Sequence, residues 1–293
     1  MHKRMRYQIF SDATADAYPA MLDGLPNVEI IPMEVTVDGQ AYTYGPGGDL
    51  SVEQFYAMQR AGKFASTSQI NPMVYRAAFE KSLREGKDVI YLCFSSGLSG
   101  TIQWARQCVS ELSEEYPQRK ILCVDTLAAS LGEGFLVREA ARRQAEGMEI
   151  EELEKWVLEN RLKVCHWFTV DNFDHLRHGG RVSATVAVLG TALKIKPLLH
   201  VDEQGLLKVM DKPRGRRKAI EAKISHMRRG WLPEMGKEVI VGHGDCPEDA
   251  ELLRQAVAEN FPDAQIHVGD IGPIIGAHTG PGILALVYWG SNR

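Results

Sequence analysis

Residues Asp88–Asp125 read DVIYLCFSSGLSGTIQWARQCVSELSEEYPQRKILCVD. An apolar run, Asp88–Phe94, passes directly into a Ser/Gly turn, Ser95–Thr101. An amphipathic stretch follows to about Tyr116, and a second compact apolar run, Lys120–Asp125, closes the unit. Short apolar runs that end in Ser or Thr are typical of buried parallel strands, and a longer amphipathic run between them is typical of a helix. The unit therefore predicts strand, helix, strand, and with it an α/β fold.

The same rhythm extends in both directions. Upstream, YQIFSD (Tyr7–Asp12) reads as a first strand, and Val28–Gly45 as extended chain with a turn at Asp38-Gly39. Ser51 caps a helix through Gly62, with Glu53 favouring its first turn. Downstream, two helical patterns, Leu127–Gly147 and Ile150–Arg161, follow without a strand between them. That break places a domain boundary near residue 160, giving an N-terminal α/β domain over 1–160 and a C-terminal α/β domain over 161–293. The second part opens with the strand KVCHWFTVD and runs through the apolar segment VSATVAVLGTALKIKPLLHVD. It continues with a hairpin turning at Asp202–Gly205, a helix, the strand EVIVGHGD, another helix, and a glycine-rich tail ending in ILALVYWG.

Composition narrows the function. The 293 residues are 44% hydrophobic and 25% charged, with a net charge of -4. Those are ordinary values for a soluble globular protein, and no basic field is offered to nucleic acid. Cys93, Cys108, Cys123, Cys165 and Cys246 include no C-x-x-C pair, which argues against both a disulfide framework and a zinc site. No apolar run has the length of a transmembrane helix, and the N-terminus lacks a signal-peptide core. A cytoplasmic location is expected, with no metal and no cofactor.

Small polar residues carry the chemistry. SSGLSGT opens a helix, so backbone N–H groups and the positive end of the helix dipole are directed at the loop. Thr67 and Ser68 precede a second helix start, where Asn71 reads as the N-cap and Pro72 as the first helical residue. There is no Walker A lysine and no G-x-G-x-x-G, so a nucleotide is disfavoured. Hydroxyls with little positive charge suit a singly charged carboxylate.

Two other readings stand beside this one. GLSGT comes close to the nucleophile elbow G-x-S-x-G, and with His278 it admits a serine hydrolase of acyl esters using Ser99 and His278. A binding module for another small carboxylate is the other. His243–Asp245 (HGD) is a candidate metal set that reads more simply as a strand end before a helix. The basic stretch KPRGRRKA, Lys212–Ala219, sets cations against a helix N-terminus, which suggests docking or a phosphate-facing role.

Taken in order, SDATAD, STSQINP, SSGLSGT, DTLAASLGEG, HGGRVS, LKIKPLL, KPRGRRKA and IGPIIGAHTGPG resemble the DegV family along essentially the whole chain. The resemblance implies two α/β domains of different topology with one long-chain fatty acid bound between them. It further implies a carrier with no chemistry of its own, the fatty-acid-binding subunit of a bacterial fatty acid kinase. Such a subunit presents the carboxylate to a separate ATP-dependent kinase subunit that makes acyl phosphate. By this likeness Thr67, Ser68 and Ser99 hold the carboxylate, His278 lies close to the head group, and Arg214 and Arg181 sit on a partner- or phosphate-facing side. Two departures stand out: Ala13 where the family usually has Ser, and the turn YGPGGDLS, Tyr44–Ser51. The small residues Ala184, Ala187, Gly190 and Ala192 suggest a wall of the acyl tunnel.

Overall fold

The computed structural model describes residues 6–26, 28–182, 195–291 and 293 of the chain. In chain order, β1 (Tyr7–Asp12), α1 (Pro19–Leu22) and β2 (Val28–Ile31) lead into β3 (Met33–Val37), β4 (Gln40–Tyr44) and α2 (Val52–Arg60). Next come β5 (Ala65–Thr67), α3 (Pro72–Arg84), β6 (Asp88–Cys93), α4 (Thr101–Glu115), β7 (Ile121–Asp125), α5 (Ser130–Ala145) and α6 (Ile150–Asn160). The remainder holds β8 (Val164–Thr169), α7 (Asp174–His178), β9 (Leu198–Val201), β10 (Leu207–Asp211) and α8 (Arg216–Gly230). It ends with β11 (Glu238–His243), α9 (Pro247–Asn260), β12 (Gln265–Asp270), α10 (Pro273–Thr279) and β13 (Leu284–Trp289).

The expected parallel unit is present. β1, β2, β6 and β7 form a four-stranded sheet in the order β2-β1-β6-β7, every pair parallel. A small antiparallel sheet, β4-β3-β5, uses the predicted Asp38-Gly39 turn: both residues have positive φ, 53° and 79°, as a two-residue hairpin with right-handed strand twist requires. The third sheet, β10-β9-β8-β13-β11-β12, is antiparallel except for the β11/β12 pair. Ser51 and Gln54 close a capping box on α2, and the Asn71 side chain accepts from the Met73 N–H to start α3.

The six-stranded sheet buries both faces. Cys165 and Trp167 of β8, with Leu284, Leu286 and Tyr288 of β13, pack against α8 and α9. Val164 and Phe168, with Val287 and Trp289, turn instead toward α5, where Leu131, Phe135 and Leu136 meet them. The opposite side of α5 places Val137, Ala140 and Ala141 against β1, β6 and β7. One helix thus belongs to the cores of both large sheets.

Four elements were not anticipated from the sequence: α1, β5, β12 and α10. The "HGD" segment ends β11 as expected, but Asp245 does not cap the next helix. It takes a left-handed φ of 54° and pairs with Arg60, and Cys246 occupies the N-cap. The tunnel-wall residues Ala184, Ala187, Gly190 and Ala192 lie outside the described residues.

Candidate functional site

In a parallel sheet, the carboxyl ends of neighbouring strands leave a crevice where the strand order reverses. Here that point lies between β1 and β6. The loops leaving β1, β6 and β7 supply Thr14, Leu98, Ser99 and Ser130 to a cavity whose opposite wall is the six-stranded sheet, through Phe168, Ala285 and Val287. The space open to the centres of water-sized groups is about 190 Å³. One water needs about 10–15 Å³ by that measure, so on the order of a dozen methylene-sized groups fit.

The cavity is polar at one end. Thr67 lies at the end of β5, paired with Val35 of β3, and α10 packs on those two strands. This brings His278 to Thr67, with His278 Nε2 and Thr67 Oγ1 2.8 Å apart in a hydrogen bond. Ser99 and Arg181 line the same cavity, together with Ser68 and Gln69, which are exposed. Arg181 Nε donates to the Leu98 carbonyl at 3.2 Å and so ties the turn after α7 to the loop carrying Ser99. His278 packs against Gly179 so closely that a Cβ there would come within 2.1 Å of Nδ1, which accounts for the first glycine of HGGRVS.

The electrostatics leave the imidazole neutral and a cation beside it. Burial, then the Arg181 and His178 charges, push His278 down to about 4. Burial also lowers the Arg181 pKa from its ordinary value. A carboxylate entering this end meets a hydroxyl, a neutral imidazole and a guanidinium, a set that stabilises an anion by charge-assisted hydrogen bonds.

Thr67, Ser68, Ser99, Arg181 and His278 therefore come together around one cavity. Within the group, the Ser68 hydroxyl donates to Glu34 at 3.2 Å, and Ser99 Oγ accepts from the Thr101 N–H. Arg214 is exposed, pairs with Ile195 in an isolated bridge, and is not among the lining residues. Its neighbour Arg216 is structural, reaching Asp171 at 2.9 Å and Asp249 at 2.7 Å. That pairing holds a cation at the start of α8 despite the dipole.

The geometry works against two of the loop readings. The turn Ser95–Thr101 consumes much of its own donor set: the Leu98 and Ser99 N–H groups go to the Ser95 carbonyl, and the Gly97 N–H to Ser95 Oγ. Hydroxyls and Arg181, more than backbone amides, are thus the groups left available to an anion. No Ser–His–acid triad is assembled among the described residues: His278 Nε2 is bonded to Thr67, Nδ1 has no partner, and Ser99 lacks the strained backbone of a nucleophile elbow.

The sequence reading missed Thr14 and Ser130 in the cavity wall and the carboxyls behind them. Thr14 hydrogen-bonds both Asp12 and Glu133, and Ser130 donates to Asp16 at 2.6 Å. All three carboxyls are buried. Burial, with the nearby Asp12 charge, raises Glu133 well above the carboxylate range, and burial raises Asp12 and Asp16 as well. His166 of β8 also lines the cavity. Its signal was available: a lone imidazole between Val164 and Phe168 on the core-facing side of an apolar strand.

The family profile described as "Uncharacterised protein, DegV family" matches residues 6–290. A DegV domain-containing protein of Clostridium perfringens is 38% identical over 288 residues, covering 98% of this chain and 99% of that one. Among solved structures, a DegV family protein of Thermus thermophilus, described by its fatty acid binding, superposes with a TM-score of 0.84 at 28% identity, covering 98% of this chain and 100% of that one. DegV of Bacillus subtilis, described as a fatty acid binding protein, gives 0.82 at 27% identity, covering 97% of this chain and 98% of that one. With the ordered motifs, the two large sheets and the cavity between them all in place, this chain belongs to the DegV family.

Proposed function

We propose that the protein is a cytoplasmic carrier that holds one long-chain fatty acid in this cavity and presents its carboxylate, at the Thr67 end, to a separate ATP-dependent kinase subunit that forms acyl phosphate. The observation that carries this reading is the cavity's division into an apolar body bounded by Leu131, Phe168, Ile274 and Val287 and a polar end at Thr67, Ser99, Arg181 and His278. Relatives described as fatty acid binding support the ligand class. Exposed Ser68 and Gln69 at the polar end support presentation, because a second protein can approach there. The kinase partner rests on the motif resemblance.

The division of labour follows from magnitudes. Burying ~14 methylenes at ~0.8 kcal/mol each supplies roughly 11 kcal/mol before association costs, against about 1.5–3 kcal/mol for each hydrogen bond to a charged group. The tail supplies affinity, and the polar end supplies orientation and selects acids. Mass spectrometry of the purified protein, native and after organic extraction, tests this. The expected result is one fatty acid per chain, with reduced occupancy in Thr67→Ala. A protein that is empty and stays empty when offered fatty acids overturns the proposal.

A further inference from the structure

Side chains two apart on a strand share a face, so β8 and β13 can be followed inward from the mouth one pair at a time. The mouth lies off the ends of these strands at Thr169 and Leu284, because Arg181 is on the chain that leaves β8 and His278 on the chain that enters β13. Phe168 stands opposite Ala285, and His166 opposite Val287, and all four border the cavity. The next pair inward, Val164 and Trp289, does not. From His166 the same row continues to Val201, whose neighbour His200 pairs with Trp167, and on to Leu207, which pairs with Val201. Val201 and Leu207 line the cavity too, so its last row crosses four strands. α5 leaves the cavity at this level as well: Leu131 and Gly132 line it, whereas Phe135, one turn on, packs against Trp289 with ring centroids 5.1 Å apart.

His166 closes the gap between that row and the helix. A Cβ at Gly132 would come within 1.9 Å of Nε2, so the ring reaches from the sheet to the backbone of α5. It is only 5% exposed. Behind it, Val164, Phe135 and Trp289 are buried in one apolar cluster. Protein interiors are close-packed, so a tail that reaches the ring cannot pass without displacing it.

We propose that His166, seated on Gly132, is the stop at the tail end of the cavity and sets the longest acyl chain the protein holds. This rests on the fatty-acid reading above and deepens it. A chain too short to reach the ring leaves space unfilled. One that is too long must push the ring off α5 or draw its carboxylate away from Thr67 and His278.

The test titrates the delipidated full-length protein with saturated straight-chain acids of increasing length, from decanoate to docosanoate. Wild type, His166→Ala and Val287→Phe are compared, with thermal melting to establish which variants are folded. Wild type is expected to gain about fourfold in affinity per added carbon up to one length and to lose affinity beyond it. His166→Ala is expected to move that length up by about two carbons, the bulk of the ring removed, and Val287→Phe, which adds bulk to the same row, to move it down. A wild type whose affinity is still rising at docosanoate, or a limit unmoved in either folded variant, overturns the inference and leaves the fatty-acid reading intact. Failure of wild type to bind any of these acids overturns both.

Discussion

The mouth of the cavity and the floor behind it are both polar, but they handle polarity in opposite ways. At the mouth, Thr67, Ser99, Arg181 and His278 are half-exposed and each can turn part of its hydrogen-bonding capacity toward a ligand. Behind the cavity, Thr14 and Ser130 are tied to Asp12, Glu133 and Asp16, three buried carboxyls that also engage Tyr91, Ser11 and the Gly272 N–H. Hydroxyls of one chemical type are thus open to a ligand in one place and committed to cohesion in the other. Solvent access and the presence of a committed partner decide which.

Crossed substitutions break or sharpen that contrast. Glu133→Ala removes a buried carboxyl and leaves Thr14 and Ser11 short of a partner, so stability should fall by about 2–4 kcal/mol in denaturant unfolding. Fatty-acid affinity of the folded fraction should change little. Thr67→Ala should do the reverse, weakening fatty-acid binding by about 1.5–3 kcal/mol in calorimetry with little change in unfolding. If both variants move both quantities equally, mouth and floor are one network and the contrast fails.

Acid provides a third comparison. The unfolded His278 imidazole titrates near 6.5 and the folded one at about 4, so between those values the unfolded chain binds more protons and stability falls as pH is lowered. On the floor, burial raises Asp16 to about 7 against an ordinary 3.8. The folded state there binds more protons, so this contribution grows as pH falls from about 7. His278→Gln should therefore be about 1–2 kcal/mol less sensitive to acidification from pH 7 to pH 5 than wild type, read from urea midpoints. The smallest expected effect is Ser130→Ala. It loses one hydrogen bond to Asp16, worth about 1 kcal/mol of stability, with a smaller change in fatty-acid affinity than Thr67→Ala gives.

Local signals were readable in the sequence. Tyr7–Asp12, the Asp38-Gly39 turn, the Ser51 and Asn71 caps and the two successive helices before residue 160 each rest on residues within a few positions of one another. β5 was not readable because it is three residues long and exists through pairing with β3, some thirty positions upstream in the chain. β12 has mostly exposed or half-buried residues and lies at a sheet edge beside β11, so it lacks an apolar signature. α10 is short and contains Gly276, a poor helix former held by packing on β3 and β5. In the site, hydroxyl-rich loops announced the mouth. The floor did not announce itself, because whether a buried group has a partner is a property of three dimensions.

The sharing of α5 between both large sheets bears on how fast a ligand can be exchanged. Swinging the sheets apart would strip Leu131, Phe135 and Leu136 from one core or Val137, Ala140 and Ala141 from the other. Such an opening is close in cost to unfolding, and so is rare. A bound molecule must then leave by local movement at the mouth, and the architecture predicts slow exchange with long residence times.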